Sequence, residues 1–400
     1  MITLNEADGR PRSSMINGFN VGLAFTYFLG KNHIKYGIES LGFLTDFTFY
    51  NPLGWRIRQK QNTTELAAYV KYHYSAGKFL IEPGLRFQWY ASLTDMSPEP
   101  RLAVKYNATN HFRLKMAAGL YSQNLLSSTS DRDVVNLFYG FLSGPEDLPR
   151  VFDGERITHR LQKARHLIAG LEYDLTDQLI LNLEAYIKDF TQLTNLNRDK
   201  LYEDTPDNSD KPERLRKDFI IETGSAKGVD LSLKYDFRGI YLWAVYSLTY
   251  VDRYDGVISY SPHFDRRHSV NIVASYQFGR DQSWEISSRF NYGSGFPFTQ
   301  SQGYYERLPF SDGIFSDYTR LNGELGIIYA ELNKGRLSDY HRMDLSLRHQ
   351  LKLGKYTKLE TTASVTNIYD RNNVFYMDRI TGERIDQLPI MPSLGISFSF

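Results

Sequence analysis

The residues best suited to chemistry in this 400-residue chain lie in short polar stretches. The stretch "HFDRRH" (263–268) places His263 and His268 on either side of Asp265, a residue set that could ligate a metal. The two histidines both precede a predicted strand, and their spacing is not that of a ligand pair on a helix. We therefore expect a solvated junction between a loop and a strand, and we predict no metal site.

A second stretch, "YEDTPDNSDKPE" (202–213), is acidic enough to suggest calcium binding. It does not follow the EF-hand pattern, in which a glycine and a closing glutamate stand at fixed positions. The stretch is therefore predicted to be a polar loop, and no cofactor is expected.

The bulk composition excludes several classes of protein. The net charge is only +1, which argues against binding driven by nucleic-acid phosphates. The chain has no Cys, which excludes disulfide scaffolds and thiolate metal sites. It contains 29 Tyr and 25 Phe, and no apolar run is long enough for a transmembrane helix. These features favour an all-β protein, and the polar average is compatible with a membrane barrel, in which every second residue faces lipid.

Alternation of apolar and polar residues recurs along most of the chain. In "SLGISFSF" (393–400), Leu394, Ile396, Phe398 and Phe400 share one face, and small polar residues share the other. Segments 342–353, 229–237, 79–89 and 269–278 alternate in the same way. The segment 239–251 is apolar on both faces, so its register stays open. About fifteen strands are predicted, each long enough for a tilted membrane strand.

The connections between these segments alternate between short and long. Short turns rich in Gly, Asn and Asp are predicted at sites such as Gly30–Asn32 and Arg238-Gly239. Between them come longer polar loops near 50–62, 124–159, 193–217, 254–265, 297–338 and 370–390, with one brief connection near 93–98. Tight periplasmic turns and long outer loops are typical of a transmembrane antiparallel up-and-down β-barrel. In that architecture Phe400 lies at the short-turn side.

Several of these segments together resemble a known family, the TonB-dependent outer-membrane receptors, in the form common among Bacteroidota. The resemblance rests on "ASVTNIYDRNNVFYM" followed by "PSLGISFSF", on "EPRLAVKYNATNHFRLKMAAGLYSQ" (99–123) and on "YSPHFDRRHSVNIVASYQFG" (260–279). It implies an aromatic barrel-assembly signal at Phe398 and Phe400. It also implies outer-membrane lipid, the TonB complex and the barrel-assembly machinery as partners, with a surface lipoprotein as a further candidate.

The family's barrel has twenty-two strands and is preceded by a plug domain and a signal peptide. Residues 1–400 contain neither of these, so we expect the C-terminal portion of the β-barrel, about 15 of 22 strands. The TonB complex would then act through an N-terminal part that these residues lack.

Charged residues fall on the polar face of two predicted strands and are expected to line the lumen. They are Asp230, Lys234, Asp236, Arg342, Asp344, Arg348 and Lys352. The simplest interpretation is a hydrated lumen wall in which these charges pair with one another. The alternative is that some of these charges bind a plug domain.

The loop 297–338 is the first candidate for ligand contacts, because aromatic residues in a long outer loop can stack on a ligand. Self-packing of the loop, or a place in the interfacial aromatic belt, is the alternative. The loop 124–159, with "VVNLFYGFLSGPEDLP", is the second candidate. The candidate contact residues in the first loop are Tyr304, Tyr305, Phe310, Phe315 and Tyr318.

Three functions compete. The first is TonB-energised uptake of a scarce nutrient such as a ferric siderophore, a vitamin, a glycan or a peptide. The second is a passive porin or fatty-acid-type channel of about sixteen strands, which would carry a constricting inward loop. The third is a barrel enzyme, but His349 lies on the apolar face of its strand, and neither His73 nor His166 has an evident Ser partner. We expect no enzyme.

Overall fold

Fifteen long antiparallel strands form the computed structural model, which describes residues 2–4, 11–128, 134, 138–307, 324–354 and 357–400. In chain order the strands are β1 Arg12–Leu29, β2 Asn32–Tyr50, β3 Arg56–Ala76, β4 Phe79–Tyr90, β5 Asp95–Asn107, β6 Phe112–Gln123, β7 Gln162–Thr176, β8 Leu179–Leu196, β9 Phe219–Phe237, β10 Ile240–Tyr254, β11 His268–Phe278, β12 Trp284–Gly293, β13 Tyr340–Lys352, β14 Lys358–Thr366 and β15 Met391–Ser399.

Each long strand pairs with the next one along the chain, so the sheet follows an up-and-down order from β1 to β15. A short strand, Ile2–Leu4, pairs with the beginning of β1. Within the described part of the chain, β1 and β15 are the two edges of the sheet and are not hydrogen-bonded to each other. The predicted strand number and the antiparallel order are confirmed.

The two ends of the strands differ as the sequence predicts. One end, which we call the turn end, carries the connections 30–31, 77–78, 108–111, 177–178, 238–239, 279–283 and 353–357. At Arg238 and Gly239 both φ angles are positive, 49° and 80°, as a two-residue turn of type I′ requires. The opposite end, the loop end, carries 51–55, 91–94, 124–161, 197–218, 255–267, 294–339 and 367–390.

One predicted loop is shorter than expected. The segment 50–62 is polar on both faces, which favoured a loop, but β3 begins at Arg56 and only 51–55 connect it to β2. Tyr50 pairs directly with Arg56, and the ladder continues from there. With 21 residues, β3 is far longer than the roughly 10 that cross a membrane, so its polar beginning extends beyond the apolar layer.

The sheet has an apolar face and a polar face, and we define each by the side chains of β13 that lie on it. Leu345 and Leu347 lie on the apolar face, and Arg348 lies on the polar face, beside Thr362 of β14. The register of β10, which the sequence left open, follows from its pairing with β9. Trp243 lies opposite Lys234 and donates its indole N–H to Ser232 at 3.0 Å, so this ring is on the polar face.

The main apolar core lies at the loop end, on the polar-face side of the sheet. Eight buried residues from strands and loops form it: Phe47, Phe49, Ile57, Leu126, Phe138, Leu142, Leu196 and Phe219. Loop residues thus cover the polar face at this end. In the described ranges, helices are too short and too polar to cross a membrane.

Candidate ligand-binding site

A hairpin within the loop 124–161 folds back onto the polar face of the sheet. Its strands, Leu125–Ser128 and Gly140–Ser143, pair with each other, and Gly140–Ser143 lies over the loop ends of β1 to β3. The amide of Phe141 donates to the Ser14 hydroxyl at 2.8 Å, and Gln59 donates to the carbonyl oxygens of Ser143 and Gly144. These polar contacts, together with the apolar core, fix the hairpin against the sheet.

A buried ion-pair cluster joins the loop 197–218 to the loop 255–267. Glu222 of β9 is fully buried and accepts hydrogen bonds from Arg198 at 3.3 Å, Arg253 at 3.2 Å and Tyr260 at 2.7 Å. Arg198 also pairs with Asp255. Because three donors converge on one buried carboxylate, the two loops are held in a single arrangement.

A second buried cation, Lys200, is paired within the loop 197–218, and its backbone joins this loop to the connection between β2 and β3. The Lys200 ammonium, 2% exposed, pairs with Asp218 at 2.5 Å and with Glu203 at 3.1 Å. Burial alone would lower the pKa of Lys200, but these two carboxylates outweigh it and raise the pKa. Asn51 donates to the carbonyl oxygen of Lys200 at 3.0 Å.

The acidic stretch 202–213 belongs to this loop, and its carboxylates pair with cations of the same loop. Asp204 bonds to Arg216 and Lys217, and Lys217 also reaches Asp147 of the loop 124–161 at 2.8 Å. Partial burial would raise the pKa of Asp204, but hydrogen bonds from Lys217 and Arg216 reverse this and lower the pKa below its usual range.

The contacts of Asp204 are expected to withstand mild acid and to weaken below about pH 4. A carboxyl group with a lowered pKa stabilises the folded state above its unfolded pKa, and the contribution disappears as the pH falls through the folded pKa. Hydrogen exchange of residues 197–218 measured from pH 7 to pH 3 checks this. The variant Asp204→Asn removes the titrating group. In this variant the protection factors of residues 197–218 should be lower at neutral pH and should change less on acidification. A loop equally protected at pH 3 and pH 7 would contradict the prediction.

Asp265 of the "HFDRRH" stretch binds cations of the protein. Its buried carboxylate pairs with Arg336 at 2.7 Å and with Arg267 at 3.1 Å, and it also accepts a hydrogen bond from the amide of Val251. The ring of His268 is hydrogen-bonded to the Tyr246 hydroxyl at 2.9 Å. Among the described residues there is no group of three or more His, Asp or Glu side chains arranged to hold a metal ion.

Most charges of the polar face on β13 are paired. Arg348 contacts Glu285 at 2.6 Å and Glu360 at 3.6 Å, and Arg342 donates to Asp344 at 3.0 Å. Similar ion pairs occur on the polar face between β2 and β7. They are Arg86–Glu39 at 2.8 Å, Arg101–Glu99 at 2.6 Å and Arg113–Glu172 at 2.7 Å. Many charges of the polar face are therefore compensated by a neighbouring strand or by a residue of the same strand.

The other predicted charges share this face but differ in their surroundings. Asp230 lies opposite Glu184 of β8 and Ser247 of β10, and Asp236 lies opposite Tyr241. The ammonium of Lys234 sits 5.8 Å from the centre of the Tyr241 ring. Lys352 ends β13 at the turn end, opposite Lys358.

The histidines considered for catalysis have other partners. His349 stacks on Trp284 at 4.0 Å between ring centres, and His166 stacks on Tyr121 at 4.4 Å. His73 is hydrogen-bonded to Glu82 at 2.8 Å.

Two of the five predicted ligand-contact aromatics lie in described residues, on the strand Ser301–Arg307 of a hairpin with Glu324–Tyr329. Tyr304 and Tyr305 are both 44% exposed. The Tyr304 hydroxyl donates to the carbonyl oxygen of Arg379 in the loop 367–390, and the Tyr305 ring covers Gly326. Phe310, Phe315 and Tyr318 lie outside the described residues. The role of all five in binding stays a prediction.

Phe398 and Phe400 lie at the turn end, with ring centres 6.2 Å apart. Phe400 is 95% exposed. Their role as a barrel-assembly signal stays a prediction.

Sequence reasoning did not single out two buried polar residues of the loop end, Glu222 and Lys200. Asp265 was expected in a solvated junction, and that expectation was wrong, because its carboxylate is fully buried against two arginines. A charged residue in an apolar run is a possible sequence signal for Glu222, which follows Phe219, Ile220 and Ile221.

The family of the chain follows from a sequence match that covers most of it. The model of the family described as "TonB dependent receptor-like, beta-barrel" matches residues 5–368, and the chain belongs to that family. A search of curated proteins finds no match.

Solved structures support the same fold. The chain is similar to BauA, the ferric preacinetobactin receptor from Acinetobacter baumannii, with 12% identity and a TM-score of 0.59 over 98% of this chain and 55% of that one. It is also similar to the ferripyoverdine receptor of the outer membrane of Pseudomonas aeruginosa, with 11% identity and a TM-score of 0.59 over 97% and 48%. The transporter YddB from Escherichia coli gives 10% identity and a TM-score of 0.57 over 98% and 55%. The chain thus spans about half the length of these structures.

Proposed function

We propose that residues 1–400 form the barrel portion of an outer-membrane receptor for TonB-energised uptake of a scarce nutrient. A ferric siderophore, a vitamin, a glycan or a peptide fits this role. The family membership carries the proposal. Its cellular setting would be the outer membrane of a Gram-negative bacterium, and an origin in Bacteroidota is part of the proposal. Its partners would be outer-membrane lipid, the TonB complex and the barrel-assembly machinery, with a surface lipoprotein as a further candidate.

The ordered loop end supports a receptor. The described parts of the loops 124–161, 197–218 and 255–267 are joined by ion pairs, of which Arg198–Asp255 is buried, and they lie at the end of the sheet through which a ligand would enter. A fixed arrangement lowers the entropy cost of binding, because the contact residues are already ordered. Charges of the polar face, including Asp230, Lys234, Asp236 and Lys352, would line the path of the ligand.

Deletion of the gene should abolish energised uptake of one nutrient, and the gene on a plasmid should restore it. The measurement compares growth on single iron sources, vitamins, glycans or peptides in wild-type, deleted and complemented cells. Uptake should also stop when a protonophore collapses the proton gradient, since the TonB complex transmits that energy. Uptake that continues at full rate without the gradient would overturn the proposal.

A passive channel is the second candidate, and one observation favours it. The hairpin Leu125–Ser128/Gly140–Ser143 lies on the polar face, as a constricting inward loop would. The purified protein in planar bilayers distinguishes the two functions. A porin gives steady conductance without an energy source, whereas a receptor with its lumen blocked gives none.

A further inference from the structure

Small side chains on the apolar face leave a groove across β1 to β5. One rung of paired residues crosses these five strands and consists of Val21, Ser40, Leu66, Trp89 and Met96. In the next rung Ala68 lies between Ile38 and Phe87. Because Ser40 and Ala68 are smaller than their neighbours, a groove of about 460 Å³ opens above them.

Three cations lie on the same strand as the groove and on the same face. Arg56, Arg58 and Lys60 are exposed, and they alternate with buried residues of the polar face such as Ile57. The ladder of β3 runs from Arg56 to the groove residue Leu66 without a register shift, and Lys60 and Leu66 are six positions apart. An even spacing on one regular strand places both side chains on one face of the sheet.

The charge balance at this cation row is positive. Asp46 lies opposite Lys60 and is the one acidic side chain that the described residues of β1, β2 and β3 place on this face. Glu39 and Glu65, the other acidic residues of these strands, lie on the polar face. The two loop-end connections nearest to the row carry no acidic residue. Among the described residues, no carboxylate forms an ion pair with any of the three cations. Three positive charges therefore face one negative charge.

The separation of the cation row from the groove matches the depth of one lipid. Six residues of a strand span about 20 Å, and a tilt of about 45° reduces this to about 14 Å along the membrane normal. One leaflet of the hydrocarbon core is about 15 Å thick. An acyl chain in the groove therefore brings its headgroup to the level of Arg58 and Lys60. The row lies at the loop end, which is the outer side in the proposed receptor.

We propose that the groove and the cation row form a site for one phosphorylated lipid of the outer leaflet. An acyl chain would lie over Ser40 and Ala68, and Arg58 and Lys60 would hold the phosphate, because both groups form charge-assisted hydrogen bonds with phosphate oxygens. The site lies on the opposite face of the sheet from the path proposed for the nutrient, so it takes a second class of ligand. The inference rests on the proposed position in the outer membrane and not on nutrient uptake.

Unselective contact with bulk lipid is the competing explanation. In that case any acyl chain fills the groove, and the three cations are only solvated. Lys227 of β9 offers a matched control, because it is an exposed cation on the same face of the sheet, opposite Ile187 and Tyr250, and lies outside the groove. A selective site requires both the phosphate and the groove, whereas contact with bulk lipid requires no phosphate.

The test is quenching of Trp89 fluorescence by brominated lipids, added to the protein extracted with its whole chain from its native membrane in mild detergent. The probes are phosphatidic acid and diacylglycerol with the same dibrominated acyl chains, which differ only in the phosphate. Trp89 is one of four tryptophans, so its signal is the difference between the wild type and Trp89→Phe. Phosphatidic acid should quench Trp89 at a concentration at least fivefold lower than diacylglycerol does.

The variants separate the two ends of the site. Arg58→Gln and Lys60→Gln should each raise the concentration of phosphatidic acid that halves the Trp89 signal by about fivefold, the size expected for one cation near an anionic lipid headgroup. Lys227→Gln should leave that concentration nearly unchanged. Ala68→Phe fills the groove, so it should abolish the preference for phosphatidic acid although all three cations remain.

Two results would overturn the site: equal quenching by both lipids in the wild type, or a shift in Lys227→Gln as large as that in Lys60→Gln. The melting temperature of each variant is measured in parallel. The comparison of the two lipids in the wild type needs no cation variant, so it decides even if a variant is unfolded. No nutrient and no energy source are present, so a failure of this test leaves energised uptake untouched, and loss of uptake leaves the quenching result standing.

Discussion

Replacing Glu222 by alanine is expected to destabilise the loop end by about 3–5 kcal/mol, the cost of removing one partner from a buried charge cluster. Glu222 is fully buried and accepts hydrogen bonds from Arg198, Arg253 and Tyr260. Arg198, itself nearly inaccessible, would lose one of its two carboxylate partners in the cluster while staying out of reach of water. Leaving such a charge buried with fewer partners costs more free energy than the ion pair contributed to stability.

Urea unfolding in detergent measures this loss, and limited proteolysis of the loops 197–218 and 255–267 localises it. Asp210→Ala is the matched control, because Asp210 is also an acidic residue in an ion pair but its carboxylate is exposed, 68% in the side chain. Little or no change is expected there, since water replaces the lost partner. If both variants unfold at the same urea concentration, the cluster does not stabilise the loop end.

Replacing Phe47 by alanine is expected to cost about 3–5 kcal/mol and to release the hairpin of the loop 124–161 from the polar face. Phe47 is completely buried, and its ring lies 6.1 Å from that of Phe49 and 6.4 Å from that of Phe138. The hairpin sits directly on it, since a Cβ atom at Gly140 would come within 2.2 Å of the ring. Removing the ring opens a cavity that the β-sheet is too rigid to close.

Unfolding experiments measure the stability, and the rate of proteolysis within 124–161 reports on the release of the hairpin. Phe375→Ala is a suitable control, because Phe375 lies in the short strand Val374–Met377 of another loop and is 48% exposed. Bilayer conductance adds a functional readout, since a released hairpin would no longer cover the polar face. A Phe47→Ala protein with unchanged proteolysis would contradict the packing described above.

Much of the fold was predictable from local sequence. Alternation in segments such as 342–353 identifies a strand and its faces, because successive side chains point to opposite sides of a sheet. The turn at Arg238-Gly239 has the chemistry of a tight hairpin, so it fixes which strands are neighbours. The paired charges around Arg348 follow from the same pattern, since β12, β13 and β14 are adjacent in the chain and in the sheet.

The register of β10 and the length of β3 could not be predicted from the local sequence. Trp243 lies on the polar face, and its indole bond to Ser232 could not be read from a segment that is apolar on both sides. The polar beginning of β3 looked like a loop, because above the apolar layer both faces of a strand meet water or polar groups. In both places the pairing partner decides the structure, and local composition does not.

The strands, their order and the two faces of the sheet can be predicted from local sequence, because those properties depend on neighbouring residues and short turns. What covers the loop end depends on contacts between residues that are far apart in the chain. The bond between Ser14 and Phe141 joins residues 127 positions apart, and Arg198 meets Asp255 across 57 positions. Such contacts have no periodic signal in the chain. They form because buried charges and apolar rings must find partners wherever the completed sheet brings them together.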